Sequence, residues 1–169
     1  MSDQIVKNEK LIILDLNGTL LYRQYNKSKT ILRNDTPDFV IGYFDCYLRP
    51  GLDKFIEYIF KNYTVGIWTS ATKVNAIPLI NKVFEKYLDK LEFILTREDC
   101  SDVKNSDDDH TSTKDVCKKI WRTSKWNELN TIIIEDSDKK HSLNKKNVVI
   151  IEEYINQVDD NVLINLIEN

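Results

Sequence analysis

The chain has 169 residues, with 24 Lys or Arg against 27 Asp or Glu, so its formal net charge is -3 at pH 7. This length fits one domain with a sizeable core, and the charge does not favour non-specific binding to nucleic acid or to an anionic membrane. Three widely spaced cysteines form no disulfide framework or CxxC metal site, and no apolar run fits a signal peptide or a membrane segment. We therefore expect an intracellular protein, nuclear or cytoplasmic, without direct nucleic-acid binding.

The chain opens with a tail, residues 1–9, followed by a short continuous apolar run at Leu11–Leu14. Such a run, with charge before it and Asn-Gly after it, predicts a fully buried strand. Asp15 follows the strand at once, and Asn17 and Gly18 then favour a turn. A carboxylate therefore stands at the end of a buried strand.

The region between residues 20 and 49 has no sustained helical period. Its second half is rich in aromatic and β-branched residues, which predicts short strands or a hairpin. We expect this stretch to form a small flap or strand insert over the site, without a large cap domain. Such a cleft would stay open to a protein segment rather than enclose a metabolite.

Strands and helices alternate through the rest of the chain. Helical spacing of apolar residues and short apolar runs distinguish the two classes. The predicted helices are 52–62, 74–88, 113–121 and 159–169, and the predicted strands are 64–70, 90–96, 129–138 and 147–154. Thr113 is a plausible cap for its helix. This alternation predicts one α/β domain over residues 10–169, with a mostly parallel sheet covered by helices on both faces.

Several polar stretches are interpreted as ordinary surface. The segment from Ser101 to Ser112 predicts a solvated loop, and its acidic run Asp107–Asp109 lacks the spacing of a calcium-binding loop. Two histidines, His110 and His141, have no nucleophile partner at a recognisable spacing. A small basic cluster is favoured as exposed loop lysines, with binding of an acidic or phosphorylated partner as the open alternative; its members are Lys139, Lys140, Lys145 and Lys146.

Ligands of parallel α/β sheets bind just outside the carboxyl ends of the strands. The polar residues predicted at that edge are Asp15, Asn17, Thr69, Ser70, Lys114, Glu135, Asp136 and Ser137. Carboxylates, hydroxyls and a lysine suit a phosphate and a hard divalent cation. An aspartate can attack phosphorus to form an aspartyl-phosphate, while a cation reduces repulsion between the anions and the hydroxyl and ammonium donors stabilise developing charge.

Four segments in order, "LDLNGTL", "WTSA", the Lys of "TKD" and "IIIEDS", resemble the motifs of the haloacid dehalogenase superfamily. More specifically, the chain resembles the NLI-interacting-factor-like phosphatases with an FCP homology domain, which act on the C-terminal domain of RNA polymerase II. The intervening segments "LRPGLDKFIEYI" and "TREDC" agree, and the resemblance runs from about Lys10 to the C-terminus. It implies a Rossmann-like fold, a Mg²⁺ cofactor and a protein substrate phosphorylated on serine or threonine.

The resemblance also implies residue roles. Asp15 would be the nucleophile and a Mg²⁺ ligand, and the backbone carbonyl of Asn17 would be a second ligand. Asp136 would complete the metal site, supported by Glu135, where the family more often has Asp followed by Asn or Asp. The phosphate-binding residues would be Thr69 and Lys114, and the residues themselves allow Ser70 as the alternative hydroxyl donor.

Asn17 departs from the pattern. Active relatives have Asp there, which protonates the leaving group and then activates the water that cleaves the aspartyl-phosphate. An amide can do neither, and such catalysis is typically worth roughly 10²–10⁴-fold. Three functions therefore stay open: a Mg²⁺-dependent protein phosphatase slowed by Asn17, a pseudophosphatase that binds a phosphorylated segment or partner without turnover, and a scaffold subunit.

Overall fold

The computed structural model describes residues 9–27, 36–104, 110–141 and 143–168. Its strands are β1 Leu11–Leu14, β2 Leu21–Tyr25, β3 Phe39–Ile41, β4 Phe44–Leu48, β5 Thr64–Trp68, β6 Leu91–Leu95, β7 Ser101–Lys104, β8 His110–Thr113, β9 Thr131–Glu135 and β10 Val148–Ile150. Its α-helices are α1 Leu52–Asn62, α2 Lys73–Val83 and α3 Val162–Glu168. No helix among these described residues is long and apolar enough to cross a membrane.

A five-stranded parallel sheet forms the centre of the fold, in the order β10-β9-β1-β5-β6. The central strand β1 pairs on both sides, with Leu14 in register with Ile67 of β5 and with Ile134 of β9. Because all strands run the same way, the residues that follow β1, β5 and β9 meet at one edge. The predicted α/β architecture with a parallel sheet is confirmed.

The sheet buries an apolar layer on each face. Ile12 and Leu14 of β1 belong to the larger cluster, to which α1, α2 and α3 contribute. Leu11 and Ile13 point the other way, into a smaller cluster with Trp126. Successive residues of a strand face opposite sides, so a strand buried on both faces must be apolar throughout.

The helix predicted at 113–121 is wrong in its first residues. The later part of that range forms a π-helical turn, Cys117–Trp121, which contributes Ile120 to the smaller apolar cluster. Thr113 is the last residue of β8 and no cap, because it pairs with Ser101 and its Oγ1 donates to the carbonyl of Lys140 at 2.9 Å.

A three-stranded antiparallel sheet, β2-β4-β3, forms the insert predicted between residues 20 and 49. The β3–β4 hairpin turns at Gly42, whose φ of +58° suits glycine. On its surface the guanidinium of Arg23 lies 4.3 Å from the ring centroid of Phe44. The expected strand insert is therefore present beside the sheet.

The predicted loop at 101–112 also differs. Its ends form the antiparallel pair β7 and β8, while the acidic run Asp107–Asp109 lies outside the described residues. Pairing of two strands satisfies backbone N–H and C=O groups without requiring apolar side chains. The polar composition of this segment therefore predicted a loop although its ends form strands.

Candidate functional site

Three strand ends bring the predicted residues to one edge of the sheet. Asp15 follows β1, Thr69 follows β5, and Glu135 is the last residue of β9. All three are almost fully buried. Lys114 follows β8 and reaches the same place, where its side chain is also buried.

Two lysines and three carboxylates form one ionic cluster: Asp15, Lys114, Glu135, Asp136 and Lys140. Lys114 Nζ lies 3.1 Å from Asp15 Oδ1 and 2.6 Å from Glu135 Oε2. Lys140 Nζ lies 3.1 Å from Asp15 Oδ2, 3.0 Å from Glu135 Oε1 and 3.3 Å from Asp136 Oδ1. Each lysine thus contacts both Asp15 and Glu135, and only Lys140 contacts Asp136.

The pKa values of Asp15 and Asp136 are shifted in opposite directions within the ionic cluster. Burial acts to raise the pKa of Asp15, but the charges of Lys114 and Lys140 outweigh it and hold that pKa well below its ordinary value. Burial raises the pKa of Asp136 to about 7, assisted by the neighbouring Glu135. Asp15 therefore stays ionised, which is the form a carboxylate nucleophile needs.

The carboxylates of the ionic cluster fit a hard divalent cation. One oxygen each of Asp15, Glu135 and Asp136 lie within 4.8 Å of one another, and oxygen is the ligand atom that Mg²⁺ prefers. Asn17 lines the same cleft as Asp136 and Lys140, and its expected role as a ligand through the backbone carbonyl stays a prediction. The residues present therefore fit Mg²⁺: Asp15 and Asp136 would serve as ligands, and Glu135, which both lysines contact, would support them.

The hydroxyls predicted to bind phosphate lie at the end of β5. Thr69 Oγ1 accepts a hydrogen bond from the backbone N–H of Ala71 at 3.1 Å. Within the described part of the chain, the buried Ser70 Oγ and the buried Asn17 Oδ1 have no hydrogen-bond partner. Buried polar atoms are nearly always paired in folded proteins, so we expect each of these two atoms to gain a partner such as a water molecule.

The interpretation of the basic cluster as exposed loop lysines is wrong for Lys140. Its side chain is 26% exposed and contacts three carboxylates, while its neighbour Lys139 is exposed. Lys140 belongs to the 3-10 turn Asp138–His141, and Asp136 precedes that turn. The spacing of four residues between Asp136 and Lys140 does not single out Lys140, because Glu135 and the exposed Lys139 have the same spacing.

His141, for which the sequence indicated no nucleophile partner, also lies beside the ionic cluster. It is buried, with Nε2 3.3 Å from Glu135 Oε2. Burial and the charge of Lys114 lower its pKa to about 3, so the imidazole is neutral at pH 7. Its ring packs against the ionic cluster without adding charge.

Arg49 is a second residue whose role the sequence did not reveal. It is buried and paired with Asp160 through two contacts, at 2.9 Å and 2.8 Å. Its Nη1 also donates to the carbonyls of Gly18 and Thr19, at 3.4 Å and 3.1 Å. Arg49 therefore holds the turn that follows Asp15.

That turn requires glycine at position 18. Gly18 has φ +81°, and a Cβ there would lie 2.5 Å from Asp136 Oδ2. Thr19 Oγ1 donates to the same carboxylate at 3.4 Å. Strand β1 and the turn thus set the position of Asp15 against Asp136.

A cleft of about 530 Å³ opens beside the ionic cluster. Asp136 and Lys140 of the ionic cluster line this cleft, as do Tyr22 and Arg23 of the insert. The remaining lining residues are Asn17, Gly18, Ser137 and Glu153. Both the predicted turn residues and the predicted insert therefore meet at this cleft.

Comparison with known proteins places these features in a family. The family model of NLI interacting factor-like phosphatases matches residues 10–169. An FCP1 homology domain-containing protein of Schizosaccharomyces pombe is 29% identical over 170 residues, covering 92% of this chain and 65% of that protein. A CTD phosphatase-like protein of Invertebrate iridescent virus 6 is 29% identical over 163 residues, covering 89% of each.

The fold agrees with solved relatives. The structure of the fission yeast RNA polymerase II CTD phosphatase Fcp1 bound to beryllium fluoride matches with a TM-score of 0.63 at 17% identity. The match covers 88% of this chain and 43% of that chain, so this chain spans less than half of that solved chain. The haloacid dehalogenase-like fold expected from the motifs is confirmed, and the chain belongs to the NLI interacting factor-like phosphatase family.

Proposed function

We propose that this domain is a Mg²⁺-dependent phosphatase for phosphoserine or phosphothreonine in a protein segment, acting through an aspartyl-phosphate on Asp15. One observation carries the proposal. The Asp15 carboxylate is buried at a strand end and held ionised by Lys114, beside two further carboxylates that fit a metal ion.

The residues divide the work as follows. An Asp15 oxygen would bond to phosphorus while the bond from phosphorus to the serine or threonine oxygen breaks. Lys114, already 3.1 Å from Asp15, would donate to the phosphoryl oxygens, as would the hydroxyl of Thr69 or Ser70. Bound Mg²⁺ would neutralise charge between Asp15, Asp136 and the phosphate.

Proton transfer is the weak step of this mechanism. The leaving alkoxide needs a proton, and the water that attacks the aspartyl-phosphate must lose one, so that phosphate leaves and Asp15 is regenerated. Asn17 can supply neither transfer, and water would have to do both. We therefore expect slow turnover of phosphoserine, and faster turnover of an aryl phosphate whose leaving group needs no proton.

The substrate class follows from the cleft and from the relatives. The cleft is open to one side and includes Arg23 and Lys140, which suit an anionic segment. Two relatives are described as a CTD phosphatase and as CTD phosphatase-like. We therefore propose a phosphorylated protein segment as the ligand, with the C-terminal domain of RNA polymerase II as the first candidate.

A pseudophosphatase is the second candidate function. Asn17 lacks a titratable proton, so the cleft could bind a phosphorylated segment without turning it over. The same Lys114 and hydroxyl donors would then serve binding alone.

One experiment separates the two functions. Hydrolysis of an aryl phosphate and of a phosphoserine peptide is measured with and without Mg²⁺, for the native chain and for Asp15→Asn. Mg²⁺-dependent turnover that Asp15→Asn abolishes would support the phosphatase. Undiminished activity in Asp15→Asn would exclude Asp15 as nucleophile, whereas peptide binding without turnover of either substrate would support the pseudophosphatase.

A further inference from the structure

We propose that the Lys140 ammonium is an intramolecular competitor of the divalent cation: it sits among the metal-binding carboxylates in the metal-free protein and must leave before Mg²⁺ can bind. This inference rests on the proposed Mg²⁺ site. It adds a residue that regulates that site and that does not belong to the family's four motifs as they stand in this chain.

The carboxylates around the Lys140 ammonium are arranged as in a cation-binding site. Its Nζ contacts one oxygen of Asp15, Glu135 and Asp136 at 3.1, 3.0 and 3.3 Å. These are the same three residues whose oxygens converge within 4.8 Å of one another. The ammonium therefore lies where a cation shared by the three carboxylates would lie.

The two cations exclude each other. Mg²⁺ takes oxygen ligands at about 2.0–2.1 Å in near-octahedral geometry, and an ammonium 3 Å from the same oxygens would occupy part of that volume. Electrostatic repulsion between the two neighbouring cations also opposes their binding at the same time. Binding of Mg²⁺ thus requires the Lys140 side chain to move.

The side chain of Lys140 is free to move toward solvent, whereas that of Lys114 is enclosed. Its carbonyl accepts from the backbone N–H of Lys114 at 2.8 Å and from Thr113 Oγ1 at 2.9 Å, so its backbone is fixed. Its side chain, however, is 26% exposed and lines the cleft. The Lys114 side chain is 1% exposed and has no comparable path to solvent.

The cleft beside the ionic cluster can receive the displaced Lys140 ammonium. The cleft of about 530 Å³ lies directly beside it, and Glu153 also lines that cleft. A rotation of the side chain alone would carry the charge from the carboxylates into the cleft, toward the position of an anionic ligand. Metal binding would then deliver a second cation to the phosphate while leaving Lys114 in place.

The first test compares Lys140→Met with Lys139→Met. Both variants remove one charge, at adjacent positions, but Lys139 is exposed and makes no contact with the ionic cluster among the described residues. Mg²⁺ affinity is measured by calorimetry. Lys140→Met should bind Mg²⁺ more tightly than the native chain by roughly 5- to 150-fold, the usual range for such a coupling. Lys139→Met should stay within about twofold, because an exposed charge is screened by salt.

A second test uses the native chain and so does not depend on the folding of a variant. The rate of reductive methylation is measured by mass spectrometry at Lys140 and Lys139, with saturating MgCl₂ or with NaCl at equal ionic strength. Lys140 should react slowly in NaCl and several-fold faster in MgCl₂. Lys139 should react equally in both and serves as the internal reference.

The outcomes separate this inference from the proposed function. If Mg²⁺ binds equally to the native chain and to Lys140→Met, and Lys140 labelling ignores Mg²⁺, the competition is overturned while the metal site stands. If neither protein binds Mg²⁺, both proposals are overturned. Tight binding to Lys140→Met with weak binding to the native chain would support the competition in its strongest form.

Discussion

Two buried ionic arrangements contact the turn after Asp15, and they differ in completeness. Arg49 and Asp160 form a pair in which one guanidinium meets one carboxylate twice, and its other donors meet backbone carbonyls. In the ionic cluster, two ammonium groups face three carboxylates. The first arrangement is matched in charge and hydrogen bonding, whereas the second has three carboxyl groups for two ammonium groups, and the pKa of one carboxyl group, that of Asp136, is raised to about 7.

This difference leads us to expect that the first arrangement supports the fold and that the second serves a ligand. Buried charges are tolerated when they are paired and hydrogen-bonded, and Arg49 with Asp160 meets that requirement within the chain itself. The ionic cluster has buried polar atoms around it that lack hydrogen-bond partners among the described residues: Asn17 Oδ1, Ser70 Oγ and both ring nitrogens of His141. A cation and a phosphate would complete it, and the following predictions test that contrast.

The largest expected effect is a gain of activity in Asn17→Asp. Restoring the family's carboxylate should raise phosphoserine peptide hydrolysis by roughly 10²–10⁴-fold, with a much smaller change for an aryl phosphate that leaves without a proton. Steady-state rates on both substrates measure this. Asn17→Ala is the control and should gain nothing. A gain in Asn17→Ala, or none in Asn17→Asp on either substrate, would contradict a role in proton transfer, whereas an equal gain on both substrates would place that role in the shared hydrolysis of the aspartyl-phosphate.

The next effect is on stability, in Arg49→Met. Removing the guanidinium leaves the buried Asp160 carboxylate without its charged partner. The free energy of unfolding should fall by about 3–5 kcal/mol, measured by urea denaturation. Lys119→Met is the matched control, because the Lys119–Asp99 pair, at 3.3 Å, is 39% and 29% exposed and should contribute about 1 kcal/mol or less. Equal losses in both variants would remove the distinction between the two kinds of pair.

Gly18→Ala should show a smaller loss of stability together with weaker metal binding. The positive φ alone costs an alanine roughly 1–2 kcal/mol, and its Cβ would also press on Asp136 Oδ2. Gly42→Ala provides the comparison, since Gly42 has φ +58° but nothing within 4 Å of a Cβ. Calorimetric Mg²⁺ titration should weaken only for Gly18→Ala; unchanged Mg²⁺ affinity there would show that the turn does not position Asp136.

The smallest effect concerns pH and Tyr154, which packs beside Arg49. Burial, followed by the charge of Asp160, raises the pKa of Tyr154 to about 12, and its hydroxyl lies 3.1 Å from the carbonyl of Leu48. A tyrosine whose pKa is raised in the folded state stabilises the fold below pH 10 and loses that contribution as the pH rises toward 12. The hydrogen bond is worth about 1 kcal/mol.

The native chain should therefore be more stable than Tyr154→Phe at pH 8, and the difference in unfolding free energy should shrink between pH 10 and 12. Tyr43→Phe, which removes a hydroxyl from an exposed ring, should match the native chain at pH 8. A native advantage that stays constant to pH 12 would show that the Tyr154 hydroxyl is not held in its neutral form.

Residue type and spacing predicted much of the site. Asp15 and Glu135 stand directly at the ends of apolar runs, and the ends of parallel strands share one edge, so their proximity follows from the chain itself. Predictions were weaker where backbone pairing replaced apolar content, as in β7 and β8. Thr113 illustrates the limit, because a helix cap and a strand end use the same residue type.

The sequence by itself determined the α/β fold, the alternation of strands and helices along the chain, and the meeting of Asp15 with Asp136, because these follow from local periodicity and from the rules of parallel sheets. Only the tertiary structure decided that Lys140 turns inward while Lys139 stays exposed, and that Arg49 holds the turn at Gly18. Both depend on the direction of a long side chain within surroundings supplied by distant segments, and no local pattern encodes that direction.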